Sequence, residues 1–155
     1  MDFISPEPKP EQTEIIGSEP FWPTVSTQHY RETQRQHDGT LTNARLKTAL
    51  INAVIEINRE LADWQKKQMA LGYQQLTEVP AMKINQESEL CLLYQRAIFG
   101  YAHASLVERY RDFDTTPTGN KKADALSPTI DDLRRDAIWA IQRIKGGSHN
   151  IAELI

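Results

Sequence analysis

Between Glu87 and Lys145 the chain reads ESELCLLYQRAIFGYAHASLVERYRDFDTTPTGNKKADALSPTIDDLRRDAIWAIQRIK. The first half predicts a helix opened by Asn85 or Gln86, with Glu87 and Glu89 at its positive end. Leu90, Leu93, Tyr94, Ala97, Tyr101 and Ala104 form its main stripe, with Cys91, Ile98, Leu106 and Tyr110 on other faces. A helix apolar over so much of its circumference needs neighbours on several sides and occupies the centre of a helical domain. The expected fold class is therefore all-α: a small helical bundle with one long helix, an extended N-terminal arm and a short C-terminal tail.

The long helix is predicted from about Thr42 to Leu71, with Thr40 or Thr42 as N-cap and Gly72 as its stop. Leu46, Leu50, Ala53, Ile57, Leu61 and Trp64 recur at helical spacing, and Ile51, Val54 and Ile55 widen the stripe. Unbroken, it would span roughly 45 Å, long enough to project past its own core or line a subunit interface. Tyr73 to Asn85 reads as a connector, with Leu76, Val79 and Met82 expected to pack inward. Asp112 to Leu126 reads as a polar loop broken by Pro117 and Gly119. A third helix is predicted to start at Ser127, with Pro128 at its first position and Asp131 and Asp132 in its first turn, and to stop at Gly146–Gly147. Ile130, Leu133, Ala137, Ile141 and Ile144 share one face of it, and Trp139 falls opposite Ile130.

These elements divide the chain into an acidic, proline-rich arm over residues 1–40, a helical domain over 41–146 and a tail over 147–155. The arm holds Pro6, Pro8, Pro10, Pro20 and Pro23 and has three basic against seven acidic residues, a net of −4 within a chain of net −3. Ser26 to Gln36 could form a short helix capped by Ser26. The apolar pair Phe21–Trp22 either packs back on the chain's own core or grips a neighbouring subunit. Trp139 is either covered by the arm or the tail or meets a neighbouring subunit. The tail ends in Ile151, Leu154 and Ile155, which could add to a partner as a strand, pack on the body, or fray.

Catalysis has no foothold in this sequence. His29, His37, His103 and His149 show no metal-ligand spacing, and no glycine-rich phosphate loop or nucleophile elbow is present. Cys91, the single cysteine, sits in an apolar helical run without a neighbouring base, so it reads as a small core residue. No cofactor or metal is expected. One cysteine, no N-terminal apolar segment and no apolar run of membrane-spanning length predict a soluble protein made in a cytoplasm and independent of membranes. Arg109, Arg111, Lys121 and Lys122 flank the predicted loop. They are either solvated partners of nearby carboxylates or a patch for DNA phosphates or an acidic partner. Sequence-specific DNA readout is not expected, because helix-turn-helix spacing and interleaved aromatics are lacking.

Five pieces in a fixed order carry a resemblance: the Gly72–Tyr73 turn after a long amphipathic helix; LTEVPA, Leu76 to Ala81; ASLVERYR, Ala104 to Arg111; GNKKAD, Gly119 to Asp124; and SPTIDDLRRD, Ser127 to Asp136. Together they resemble the head-completion proteins of tailed, contractile-tail phages, over roughly Leu41 to Ile155. The resemblance implies a helical head–tail adaptor located in the virion and assembled in the host cytoplasm. Such a protein would form a ring beneath the dodecameric portal after packaging, help to retain DNA, and offer the surface where the tail docks. Its partners would be the portal protein, a tail terminator or other neck protein, further copies of itself, and packaged DNA through non-specific contact. Under that reading Ile151, Leu154 and Ile155 meet the portal, and Phe21, Trp22 and Trp139 meet ring neighbours. Arg109, Arg111, Lys121 and Lys122 then face DNA or a partner. The alternative from another class is a ring-forming DNA-binding subunit of the packaging machinery, which would need a concentrated basic face.

Overall fold

A computed structural model describes residues 12–34, 41–113 and 117–146, with the side chains of 110–129 outside what it describes. The fold is mainly helical, with two small strand pairs. In chain order it runs β1 (Ile15–Ile16), β2 (Val25–Ser26), α1 (Thr27–Thr33), α2 (Asn43–Glu60), α3 (Ala62–Ala70), a single 3-10 turn at Leu76–Glu78, β3 (Lys83–Ile84), β4 (Glu87–Ser88), α4 (Glu89–Phe113) and α5 (Pro117–Ile144). Helix α4 is central: α5 packs along it as a helical hairpin and α2 packs against it as well.

Residues 12–34, expected within an extended arm, instead close over the helices. β1 and β2 pair antiparallel, Ile15 with Ser26 and Ile16 with Val25. Buried Thr27 extends the pairing: its N–H donates to the Glu14 carbonyl at 3.0 Å and its Oγ1 accepts from the Glu14 N–H at 3.0 Å. This clip lowers Phe21 and Trp22 into the core, where they are 2% and 4% exposed. Trp22 stacks on Tyr94 at 4.8 Å and 8°, meets Phe21 edge-on at 4.8 Å, and donates its Nε1–H to Gln65 Oε1 at 3.2 Å. The Phe21 carbonyl accepts from the Leu76 N–H at 2.9 Å, which ties the clip to the 3-10 turn. The proline-rich composition of this region describes turns between anchored residues, not a free arm. Residues 1–11 lie outside the described residues.

Ser26 caps α1, its Oγ accepting from the His29 N–H at 3.1 Å. Thr42 caps α2 by accepting from the Arg45 N–H at 3.3 Å. The expected long helix is two helices. At Leu61 the backbone leaves helical geometry (φ −97°, ψ 2°) while the Leu61 side chain stays fully buried. Gly72, at φ 100°, ends α3 in the left-handed region, where a side chain would be strained. Leu76 and Val79 pack inward as expected, but Met82 is 67% exposed. It leads into the β3–β4 hairpin, whose two turn residues Asn85 and Gln86 both take positive φ, 51° and 68°. That pair of angles is what a two-residue hairpin turn with the twist of its strands requires. Asn85 and Gln86 therefore form a hairpin tip, and α4 starts at Glu89.

Tyr101, expected on the buried stripe of α4, is exposed at 38%, whereas Phe99 and Ala102 are buried. Helices on two sides of α4 shift its apolar surface away from a single 3.6-residue stripe. The contact with α5 is close because residue 100 is glycine: a Cβ there would stand 3.2 Å from the Leu133 carbonyl oxygen and 3.6 Å from Ala137 Cβ. Helix α5 begins at Pro117, ten residues before the expected start, so the stretch read as a polar loop is largely helix. Proline suits a first helical position, and Asn120 to Leu126 contains good helix formers. Pro128 then lies inside the helix and withholds one backbone donor.

Candidate interaction surfaces

Among the described residues no group of three or more His, Cys, Asp and Glu side chains converges as a metal site, and no helix is long and apolar enough to cross a membrane. The buried polar groups are structural. Tyr94 donates to Asn58 Oδ1 at 2.8 Å, and Asn58 Nδ2 donates to Ser18 Oγ at 3.2 Å. Tyr30 is fully buried beside Phe99, and its hydroxyl finds no hydrogen-bond partner. Burial pushes both tyrosines well above the ordinary phenol range. His103 Nδ1 lies 3.0 Å from Gln34 Oε1, joining α4 to the end of α1. Burial raises the Cys91 thiol; a hydrogen bond with Ser88 opposes the shift and the nearby Glu87 charge adds to it. A thiol held in its neutral form is a poor nucleophile.

The candidate contact residues separate into three groups. Phe21 and Trp22 belong to the chain's own core, the first of their two options, and present almost no surface to a neighbour. Trp139 is 40% exposed on α5, with the Arg135 guanidinium 5.2 Å from its ring centroid. Arg109 is exposed near the end of α4. The backbone places Arg111 in the last turn of α4 and Lys121 and Lys122 in the first turns of α5, on either side of residues 114–116. A loop patch is thus replaced by two helix ends. The side chains of Arg111, Lys121 and Lys122, and the tail residues Ile151, Leu154 and Ile155, lie outside the described residues.

Ion pairs use up much of the described positive charge along the α4–α5 hairpin. Arg134 pairs with Glu108, Arg135 with Asp132 and Arg96 with Asp136, while Lys145 reaches Glu60 of α2 at 3.9 Å. These pairs are exposed, so each contributes little stability. Among the described side chains their consequence is a mixed-charge surface along the hairpin.

Apolar residues missed as surface features stand out instead. Ile51 and Ile55 of α2 are 38% and 46% exposed, and Ile138 beside Trp139 is 52% exposed. The signal was legible in α2. At ~100° per residue Ile51 and Ile55 point about 150° away from the mean direction of Leu46, Leu50, Ala53 and Ile57, too far to widen the same stripe.

Residues 16–155 match the family described as "Phage head completion protein (GPL)". The chain is also 38% identical over 143 residues to the "Head completion/stabilization protein" of Escherichia phage P2, covering 92% of this chain and 83% of that protein. No solved structure matches the chain. A family match that begins at Ile16 takes in the last residue of β1, all of β2 and the helices, and on that span the chain belongs to the phage head completion protein family.

Proposed function

We propose that this protein completes the phage head after DNA packaging by forming a ring under the portal, where it helps to retain DNA and offers the surface for tail attachment. The observation that carries this reading is the family match over nearly the whole folded chain. The physical features are compatible with a structural subunit: apolar side chains turned outward on α2 and α5, and, among the described residues, no group of His, Cys, Asp and Glu that could hold a metal ion. In this reading the apolar tail residues Ile151, Leu154 and Ile155 meet the portal, and Trp139 faces a neighbouring copy. Arg109, Arg111, Lys121 and Lys122 would approach DNA or a further neck component from the connected ends of α4 and α5.

The test is binding of purified protein to isolated portal, for the full-length chain and for one lacking residues 151–155. Saturable binding at ring stoichiometry is expected, with loss on truncation. Binding that survives truncation would keep the ring and remove the tail from the contact. No portal binding at low and moderate salt, together with a salt-sensitive shift of DNA, would replace this reading by that of a DNA-binding packaging subunit.

A further inference from the structure

A ring needs two different contact patches on each subunit, because a head-to-tail interface joins unlike surfaces and repeats them until the rotation closes. Two outward patches meet this requirement, and their spacing matches. On α2, Ile51, Ile55 and Arg59 follow one another at every fourth position, all exposed. On α5, Asp131, Ile138 and Trp139 are all exposed, and Ile138 and Trp139 together point about 165° away from the mean direction of Ile130, Ala137, Ala140 and Ile144. Ile51 and Arg59 are eight residues apart, as are Trp139 and Asp131. Each interval is about 12 Å along its helix.

We infer that the α2 face of one copy docks antiparallel on the α5 face of the next, with Ile51 against Trp139 and its neighbour Ile138, Ile55 against the aliphatic stem of Arg135, and Arg59 against Asp131. This rests on the ring reading above and supplies its subunit contact. The choice of a second copy as occupant comes from charge as well as shape. Arg59 and Asp131 have no ion-pair partner among the described residues, whereas several other charges on α5 are paired within the chain. One apolar patch carries an unpaired cation at one end, and the other carries an unpaired anion at the same spacing. The antiparallel sense is the one that brings them together. An isologous pairing of α5 with α5 would leave the arginine of α2 unused.

The test uses full-length chain carrying Arg59→Asp, Asp131→Arg, or both. Self-association is followed by sedimentation over a concentration series, and ring stoichiometry is measured on isolated portal. Circular dichroism checks that each variant is folded. Each single reversal sets like charges face to face and is expected to weaken subunit association by at least about tenfold, and the double reversal to restore it. Singles without effect, a double as weak as the singles, or no association between copies in either setting would overturn the contact. Ring-stoichiometry binding to portal that ignores all three variants would leave the proposed function standing and remove this interface. Charge-swapped self-association without portal binding would do the reverse.

Discussion

Trp22→Ala tests whether residues 12–34 belong to the folded body. Trp22 is 4% exposed, stacks on Tyr94 at 4.8 Å, lies 6.4 Å from Trp64, and donates to Gln65 at 3.2 Å. Truncating a buried tryptophan costs about 3–5 kcal/mol from lost transfer energy and the cavity left behind. The part-buried hydrogen bond adds about 1 kcal/mol at most. The expected loss is therefore about 4 kcal/mol, a large share of the roughly 5–15 kcal/mol that stabilises a typical domain. At about 4 °C per kcal/mol the melting temperature should fall by roughly 15 °C. Urea unfolding followed by far-ultraviolet circular dichroism measures it, with Trp139→Ala as a control expected to cost under about 1.5 kcal/mol from its half-exposed site. Trp22→Phe keeps the measurement possible if the alanine variant does not fold, at about 1–2 kcal/mol. A Trp22→Ala loss below about 1 kcal/mol would refute the reasoning and make the segment a surface arm.

Further perturbations read other parts of the same body. Gly100→Leu should cost more than about 3 kcal/mol in urea unfolding, because even a Cβ would stand 3.2 Å from the Leu133 carbonyl; Gly100→Ala should be nearly neutral, since about 1 kcal/mol of helix propensity offsets the close contact. Tyr30→Phe should stabilise the fold by about 1 kcal/mol by removing a buried hydroxyl that lacks a partner. The same burial makes stability fall as pH rises beyond about 10, the ordinary tyrosine value, because the unfolded chain releases the phenol protons that the folded one retains; Tyr30→Phe should flatten that fall in pH-dependent melting, and an unchanged slope would count against the buried position. Thr42→Ala should cost about 1 kcal/mol through loss of the α2 cap, read by thermal melting.

The parts of the fold legible in the sequence were those set by local chemistry. The caps at Ser26 and Thr42 and the stops at Gly72 and Gly146 depend on a few adjacent atoms, and each stands where residue type placed it. The hairpin at Asn85–Gln86 was not legible, because its two positive-φ positions carry no glycine to announce them. Ser127–Pro128 reads as a helix start by every local rule, yet α5 begins at Pro117. A start signal does not prevent an upstream run of good helix formers from being helical too. The fate of Trp22 was set by Trp64, Gln65 and Tyr94, residues remote along the chain. No local pattern distinguishes an aromatic that will meet such partners from one that awaits a neighbouring subunit. Among the contact candidates, the position of Trp139 opposite Ile130 was readable from helical phase but whether the arm or tail covers it was not, while the outward direction of Ile51 and Ile55 needed the whole α2 wheel.

The order in which the β1–β2 clip and its seat leave the ribosome has a consequence of its own. Tyr94, on which Trp22 stacks, follows it by 72 residues. At roughly 5–20 residues per second of synthesis, Phe21 and Trp22 leave the ribosome about 4–14 s before Tyr94 does. A segment made well before its seat is thus among the later parts of the fold to find its place. Throughout that interval two neighbouring aromatics are open to chaperones, and to the same segment of other nascent chains on a shared message.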